Sequence, residues 1–143
     1  MSQLVRDLIK HKGSKVESVG PESTVDLASA HMTEMHIGSL LVIAGGELVG
    51  IVTERDLLAR VLAVRRDPLT TVVGDVMTRD VIKIRPQDPI TRALAIVSDC
   101  RCRHLPVEDG GKLLGVISAG DLTAWLVRDQ RQTIADLHQY ITR

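Results

Sequence analysis

The sequence predicts a mixed α/β (α+β) fold made of two copies of one β-α-β-β-α unit, packed pseudo-symmetrically through their sheets and extended by a C-terminal helix. Three observations carry this. Shifting the chain by 65 residues aligns residues 15–57 with 80–122 without a gap and yields 12 identities in 43 positions. The shared positions include Pro21 and Pro86, Ala28 and Ala93, Gly45-Gly46 and Gly110-Gly111, and Asp56 and Asp121. Such self-similarity marks an internal duplication whose halves share a core. Within each half a helical period gives way to two apolar runs separated by Gly-Gly, the pattern of a helix followed by a hairpin. Finally, Leu126, Ile134, Leu137 and Ile141 continue helically after the second copy and have no counterpart after the first.

In chain order, Leu4, Val5, Leu8 and Ile9 share one face of a short helix that Gly13 ends. Val16 to Val19 is a brief strand closed by Gly20-Pro21. From Val25 the apolar positions Val25, Ala28, Met32 and Met35 recur at helical spacing, with Ser23 or Thr24 as the cap. Leu40 to Ile43 and Leu48 to Val52 form a hairpin around Gly45-Gly46. A further helix runs to about Val64 and stops before Pro68. Thr71 to Met77 leads into the second half, where the order repeats. The domain division read from this is 1–65 for the first repeat with its lead-in helix, 70–127 for the second, and 128–143 for a C-terminal helical extension.

One stretch recurs with its chemistry intact: Gly50-Ile51-Val52-Thr53-Glu54-Arg55-Asp56-Leu57 and Gly115-Val116-Ile117-Ser118-Ala119-Gly120-Asp121-Leu122. The β-branched pair ends a buried strand, and a hydroxyl followed three residues later by an acid begins a helix. At such a junction free backbone N–H groups and the positive end of the helix dipole favour an anion. The Asp can also accept from a neutral diol such as a ribose. The same spacing equally serves as a helix cap that needs no ligand.

Composition narrows the function classes. Eighteen basic and 18 acidic residues give a formal net charge of zero, and one Trp, one Tyr and no Phe leave no stacking platform for successive bases. Nucleic-acid binding is therefore not expected. No stretch approaches the roughly 18 apolar residues of a membrane helix, and no membrane partner is expected. Charges at Arg6, Asp7, Lys10 and Lys12 argue against a signal peptide or anchor at the N-terminus. Cys100 and Cys102 lack the further ligands of a zinc site and read as reduced thiols, which fits a cytoplasmic location. Neither a catalytic triad arrangement nor a Gly-Lys-[Ser/Thr] phosphate loop is present, so a binding module is favoured over an enzyme.

The duplicated order of these segments resembles a tandem pair of cystathionine-β-synthase (CBS) domains, a Bateman module, over nearly everything from Val5 to Leu122. The resemblance rests on the strands before Pro21 and Pro86, the Ala-containing helices, Ile37-Gly38-Ser39-Leu40-Leu41-Val42, Arg103-His104-Leu105-Pro106-Val107, the Gly-rich hairpins and both Gly-x-x-[Ser/Thr]-x-x-Asp segments. It is similar in flavour to small stand-alone bacterial members. What it implies is a regulatory homodimer with no obligatory cofactor, which binds AMP, ADP or ATP, or in some members S-adenosylmethionine, in clefts between the repeats and signals to a protein partner. The resemblance implies that Asp56 with Thr53, and Asp121 with Ser118, hold the ribose. It gives Arg103, His104 and Arg55 to the phosphates. Val16, Ser18, Ile37, Leu41, Val81, Lys83 and Pro106 then lie along the walls of the base site. The alternative reading is a ligand-free dimerisation module in which both motifs are caps only.

Overall fold

Strand β2 (Ser39–Ala44) is where the first repeat assembles, because its alternate residues must face opposite sides of the sheet. Leu40 and Val42 point at α2 (Val25–Met35) and join Ala28, Met32 and Val52 in one buried cluster. Leu41 faces the other way and is equally buried. The computed structural model describes residues 3–13, 15–100 and 102–142, apart from the side chains of 140 and 142. They fall into two packing units, residues 15–81 and residues 3–13 with the described residues from 82 to 142.

In the unit of residues 15–81, β1 (Ser18–Val19) runs parallel to β2, and β2 runs antiparallel to β3 (Glu47–Thr53). Gly45 and Gly46 both have positive φ, the backbone that a two-residue hairpin turn of the right twist requires. Thr24 caps α2 by accepting from Leu27 N–H, which decides between the two hydroxyls available there. Helix α3 (Glu54–Leu57) widens at once into a π turn over Leu58–Leu62, with Ala63 N–H donating to Leu58 C=O five residues back.

In the other unit, β4 (His104–Asp109) and β5 (Lys112–Ser118) form a two-stranded hairpin. Helix α4 (Ile90–Cys100) places Ile90 and Ala93 against Leu105, Val107 and Ile117. The duplicated pattern predicts a leading strand over Val81 to Ile84, and the structure corrects this to a single parallel bridge between Ile84 and Val107. In the first repeat Leu41 N–H donates to Glu17 C=O and extends the ladder. Its counterpart is Pro106, which has no N–H to give, so that ladder stops after one residue.

The packing units part from the sequence repeats at their leading edges. Helix α1 (Val5–Lys12) buries Val5 and Leu8 among Ile90, Ala93 and Leu105 of the second repeat. Residues Val73, Val76 and Met77, expected to lead into the second repeat, bury themselves in the first. The two lead-ins dock alike: Val5 N–H donates to Asp88 C=O, and Val73 N–H donates to Ser23 C=O. Each thus closes the core of the repeat other than the one that follows it in the chain, because that is where an apolar face is open. Finally, α5 (Ala119–Thr142) is one continuous helix of 24 residues, so the expected extension at 128 grows directly out of the second motif.

Candidate ligand-binding site

Both motif segments form the expected strand-to-helix junction. In the first, Asp56 N–H donates to Thr53 Oγ1 at 3.2 Å and Thr53 N–H donates to Asp56 Oδ2 at 3.0 Å. In the second, Asp121 N–H donates to Ser118 Oγ at 3.0 Å and Ser118 N–H donates to Asp121 Oδ2 at 2.8 Å. These are reciprocal capping boxes, and each satisfies two donors that the helix leaves open. The caps are therefore present whatever else the residues do.

Beyond the cap the two acids differ. Asp56 is buried, and both its oxygens are occupied: Oδ2 also accepts from Thr53 Oγ1, while Oδ1 accepts from Thr78 Oγ1 at 3.0 Å with Arg60 Nε at 3.9 Å. Arg60 is itself held by the carbonyls of Val76 and Met77. Thr78 reaches Asp56 because it forms an antiparallel bridge with Ile51, one residue from Gly50. A Cβ on Gly50 would stand 2.6 Å from Met77 Sδ and 2.9 Å from Thr78 O, so glycine is what lets this segment cross the strand.

Asp121 is the more open of the pair, with its side chain 27 % exposed. Its Oδ2 accepts from Lys12 Nζ at 2.6 Å, and Lys12 also donates to Val116 C=O at 2.5 Å. Among the described residues Oδ1 accepts no hydrogen bond. Burial raises the pKa of this carboxyl, but the hydrogen bonds from Lys12 and from the Ser118 backbone, with the charge of Lys12, outweigh that and hold it below its ordinary value. Asp121 is thus a carboxylate at neutral pH with one oxygen still available.

Several other candidate residues collect at these junctions. His104 lies directly opposite Ser118 across the β4–β5 ladder, and Arg103 C=O accepts from Ala119 N–H. Arg103 is exposed and His104 half-buried. Their counterparts hold the same places, with Ser39 opposite Thr53 and Gly38 C=O accepting from Glu54 N–H. Arg55 is exposed on α3. Ser18 pairs with Leu41, and Glu17 beside it accepts from His31 Nε2 at 2.9 Å, a bond that with Lys15 lowers the Glu17 pKa. Val16, Ile37 and Val81 are half-buried, and Pro106 is buried between Leu105 and Val107. Lys83 is paired with Glu108 at 3.4 Å and is not a free cation. Cys100 and Cys102 are both free thiols, and burial with the nearby Cys100 pushes Cys102 upward, so it stays protonated.

Sequence reasoning missed Thr78, Arg60 and Lys12. Lys12 had entered only as a charge unsuited to a signal peptide. Its spacing carries no signal, since 109 residues separate it from Asp121.

A family model of the CBS domain matches residues 5–63 and again residues 73–128. The chain belongs to the CBS-domain family. It is 33 % identical over 149 residues to the mitochondrial CBS domain-containing protein CBSX3 of Arabidopsis thaliana, covering 98 % of this chain and 72 % of that one. Among solved structures, the CBS domain NE2398 superposes with a TM-score of 0.86 at 35 % identity, over 89 % of this chain and 99 % of the other. The CBS domain pair of MJ0100, solved in complex with 5′-methylthioadenosine and S-adenosyl-L-methionine, shares the fold at 21 % identity, with a TM-score of 0.78 over 90 % and 99 % of the two chains. In this CBS pair the two repeats keep one junction in common and surround it with different partners. No helix among the described residues is long and apolar enough to cross a membrane.

Proposed function

We propose that this CBS pair is a regulatory sensor of adenosine-containing ligands of the AMP, ADP and ATP class, and that its ligand seat is the Ser118–Asp121 junction. The observation that carries the reading is the available oxygen of Asp121. An ionised, partly exposed carboxylate at the first turn of α5, with His104 across the strand and Arg103 beside it, offers an acceptor for ribose hydroxyls and donors for phosphate. The ligand complex of MJ0100 supports adenosine as the shared chemical element. With one aromatic residue per hundred, the base would rest on aliphatic side chains and main chain. Binding would shift conformation or assembly and so reach a protein partner.

The first repeat favours a second role. Asp56 is buried and accepts from Thr53 and Thr78 through both oxygens, with Arg60 beside it, which makes this junction a structural lock and a poor ribose seat. The test is a thermal-shift and calorimetric titration with AMP, ADP, ATP and adenosine, against guanosine controls, on the wild type and Asp121→Asn. Stabilisation by about 2.7 kcal/mol at 100 times the Kd, lost in Asp121→Asn, supports the reading. No binding by the wild type overturns it and leaves a ligand-free dimerisation module.

A further inference from the structure

Lys12 sits where no repeat of the motif would place a charge. It is the last residue of α1, and its ammonium makes two short hydrogen bonds, to Asp121 Oδ2 at 2.6 Å and to Val116 C=O at 2.5 Å. An ammonium has three protons, and two are used here. The lysine is 34 % exposed, so its charge is fixed in place without being sealed from solvent. At the other motif the corresponding donor to Asp56 is the neutral hydroxyl of Thr78. The cation there, Arg60, stands off at 3.9 Å and is held by the carbonyls of Val76 and Met77. The second junction therefore differs in having an ammonium in direct hydrogen-bond contact with its acid, delivered by the N-terminal helix.

We propose that Lys12 sets the ligand class of the second junction, making it select phosphorylated adenosine over adenosine itself and over adenosine bearing a sulfonium cation. This rests on the reading of Asp121 as the ribose seat. Left alone, the Asp121 carboxylate would give the junction a net negative charge that repels phosphate and attracts a cation. With Lys12 bound to Oδ2, that charge is balanced, and the N-terminus of α5 and Arg103 leave the surroundings positive. Lys12 keeps a proton for a phosphate oxygen while Asp121 keeps Oδ1 for a ribose hydroxyl. The bond to Val116 C=O holds the ammonium still, so little further ordering is needed on binding. Lys12 thus acts as a specificity-determining residue, and the pairing explains why a motif acid can coexist with an anionic ligand.

The experiment is calorimetric titration of the wild type, Lys12→Met, Lys12→Arg and Asp121→Asn with adenosine, AMP and S-adenosylmethionine, with melting temperatures of the unliganded proteins alongside. Adenosine and AMP differ only in the phosphate. The wild type should bind AMP about tenfold or more tighter than adenosine, the size of one charge-assisted contact. Lys12→Met should erase that preference and raise the affinity for S-adenosylmethionine relative to AMP. Lys12→Arg should restore the preference, which a loss through misfolding would not do. An undiminished AMP preference in Lys12→Met overturns the inference, as does equal weakening of both ligands. Tighter binding of both in Lys12→Met also overturns it, because the lysine would then be shielding Asp121. If binding is lost in Asp121→Asn but indifferent to Lys12, the inference fails and the sensor reading stands. A wild type that binds none of the three compounds fails both.

Discussion

Thr78 Oγ1 donates to Asp56 Oδ1 at 3.0 Å across 22 residues of chain, and it completes the solvation of a carboxylate that the fold has buried. Removing a donor to a buried charge leaves its desolvation uncompensated. Thr78→Val is therefore expected to lower stability by about 1–3 kcal/mol, read as a shift in the urea midpoint with an unchanged slope. A neutral outcome would mean that water replaces the hydroxyl.

The two motif acids are expected to separate stability from binding. Asp56→Asn turns an amide NH2 toward Thr53 or Thr78 donors, so it should cost about 1–3 kcal/mol of stability and leave nucleotide affinity alone. Asp121→Asn should do the reverse, losing about 1.5–3 kcal/mol of affinity with a smaller change in unliganded melting temperature. Paired titrations and melts of both variants check this. A larger binding loss at Asp56 would move the ligand seat to the first repeat.

Arg103→Ala is expected to weaken ADP and ATP by about 1.5–3 kcal/mol while sparing adenosine, since a guanidinium acts through phosphate oxygens. Calorimetry with the three ligands reads it directly. Equal losses for adenosine and ATP would assign Arg103 to structure.

The depressed pKa of Asp121 fixes a pH dependence. A carboxyl whose folded pKa lies below its unfolded value stabilises the fold above the unfolded pKa, and this is lost as pH falls through the folded one. Wild type should therefore exceed Asp121→Asn in stability by a constant margin above about pH 5, and the margin should shrink below about pH 4. Lys12→Met should reduce the margin above about pH 5, where the carboxylate is ionised, and have little effect on it below about pH 4. Urea midpoints measured from pH 7 to pH 3 test both statements.

On α5 the residues Ile134, Leu137 and Ile141 are 66 %, 57 % and 78 % exposed and lie on one stripe. A homodimer that covers this stripe is expected. Ile134→Glu with Leu137→Glu should weaken it while sparing Trp125, Arg128 and Asp129, which tie α5 to Gln3 and His11 of the N-terminal segment. Light scattering at micromolar concentration provides the readout. A monomeric wild type would dismiss the dimer, and an unaffected dimer in the double variant would place its interface elsewhere.

Much of this molecule was legible in the chain because the relevant forces are local or repeat with a fixed offset. Residue spacing identified the helices, Gly45-Gly46 and Gly110-Gly111 identified the hairpins, and hydroxyl-to-acid spacing identified both capping boxes. The duplication supplied the register between the halves. Even the shortened strand of the second repeat was visible in principle, since Pro106 stands where Leu41 provides an N–H.

Tertiary structure alone decided what each motif acid touches. Whether Asp56 meets Thr78, and Asp121 meets Lys12, depends on where α1 and residues 73–77 dock, and each docks on the repeat that leaves an apolar face uncovered. Apolar faces attract without direction, so the pattern that marks Val5 and Leu8 as core says nothing of which core they enter. Lys12 arrives at Asp121 as a passenger on that packing, and its charge acts over a few ångströms that only the folded chain brings about.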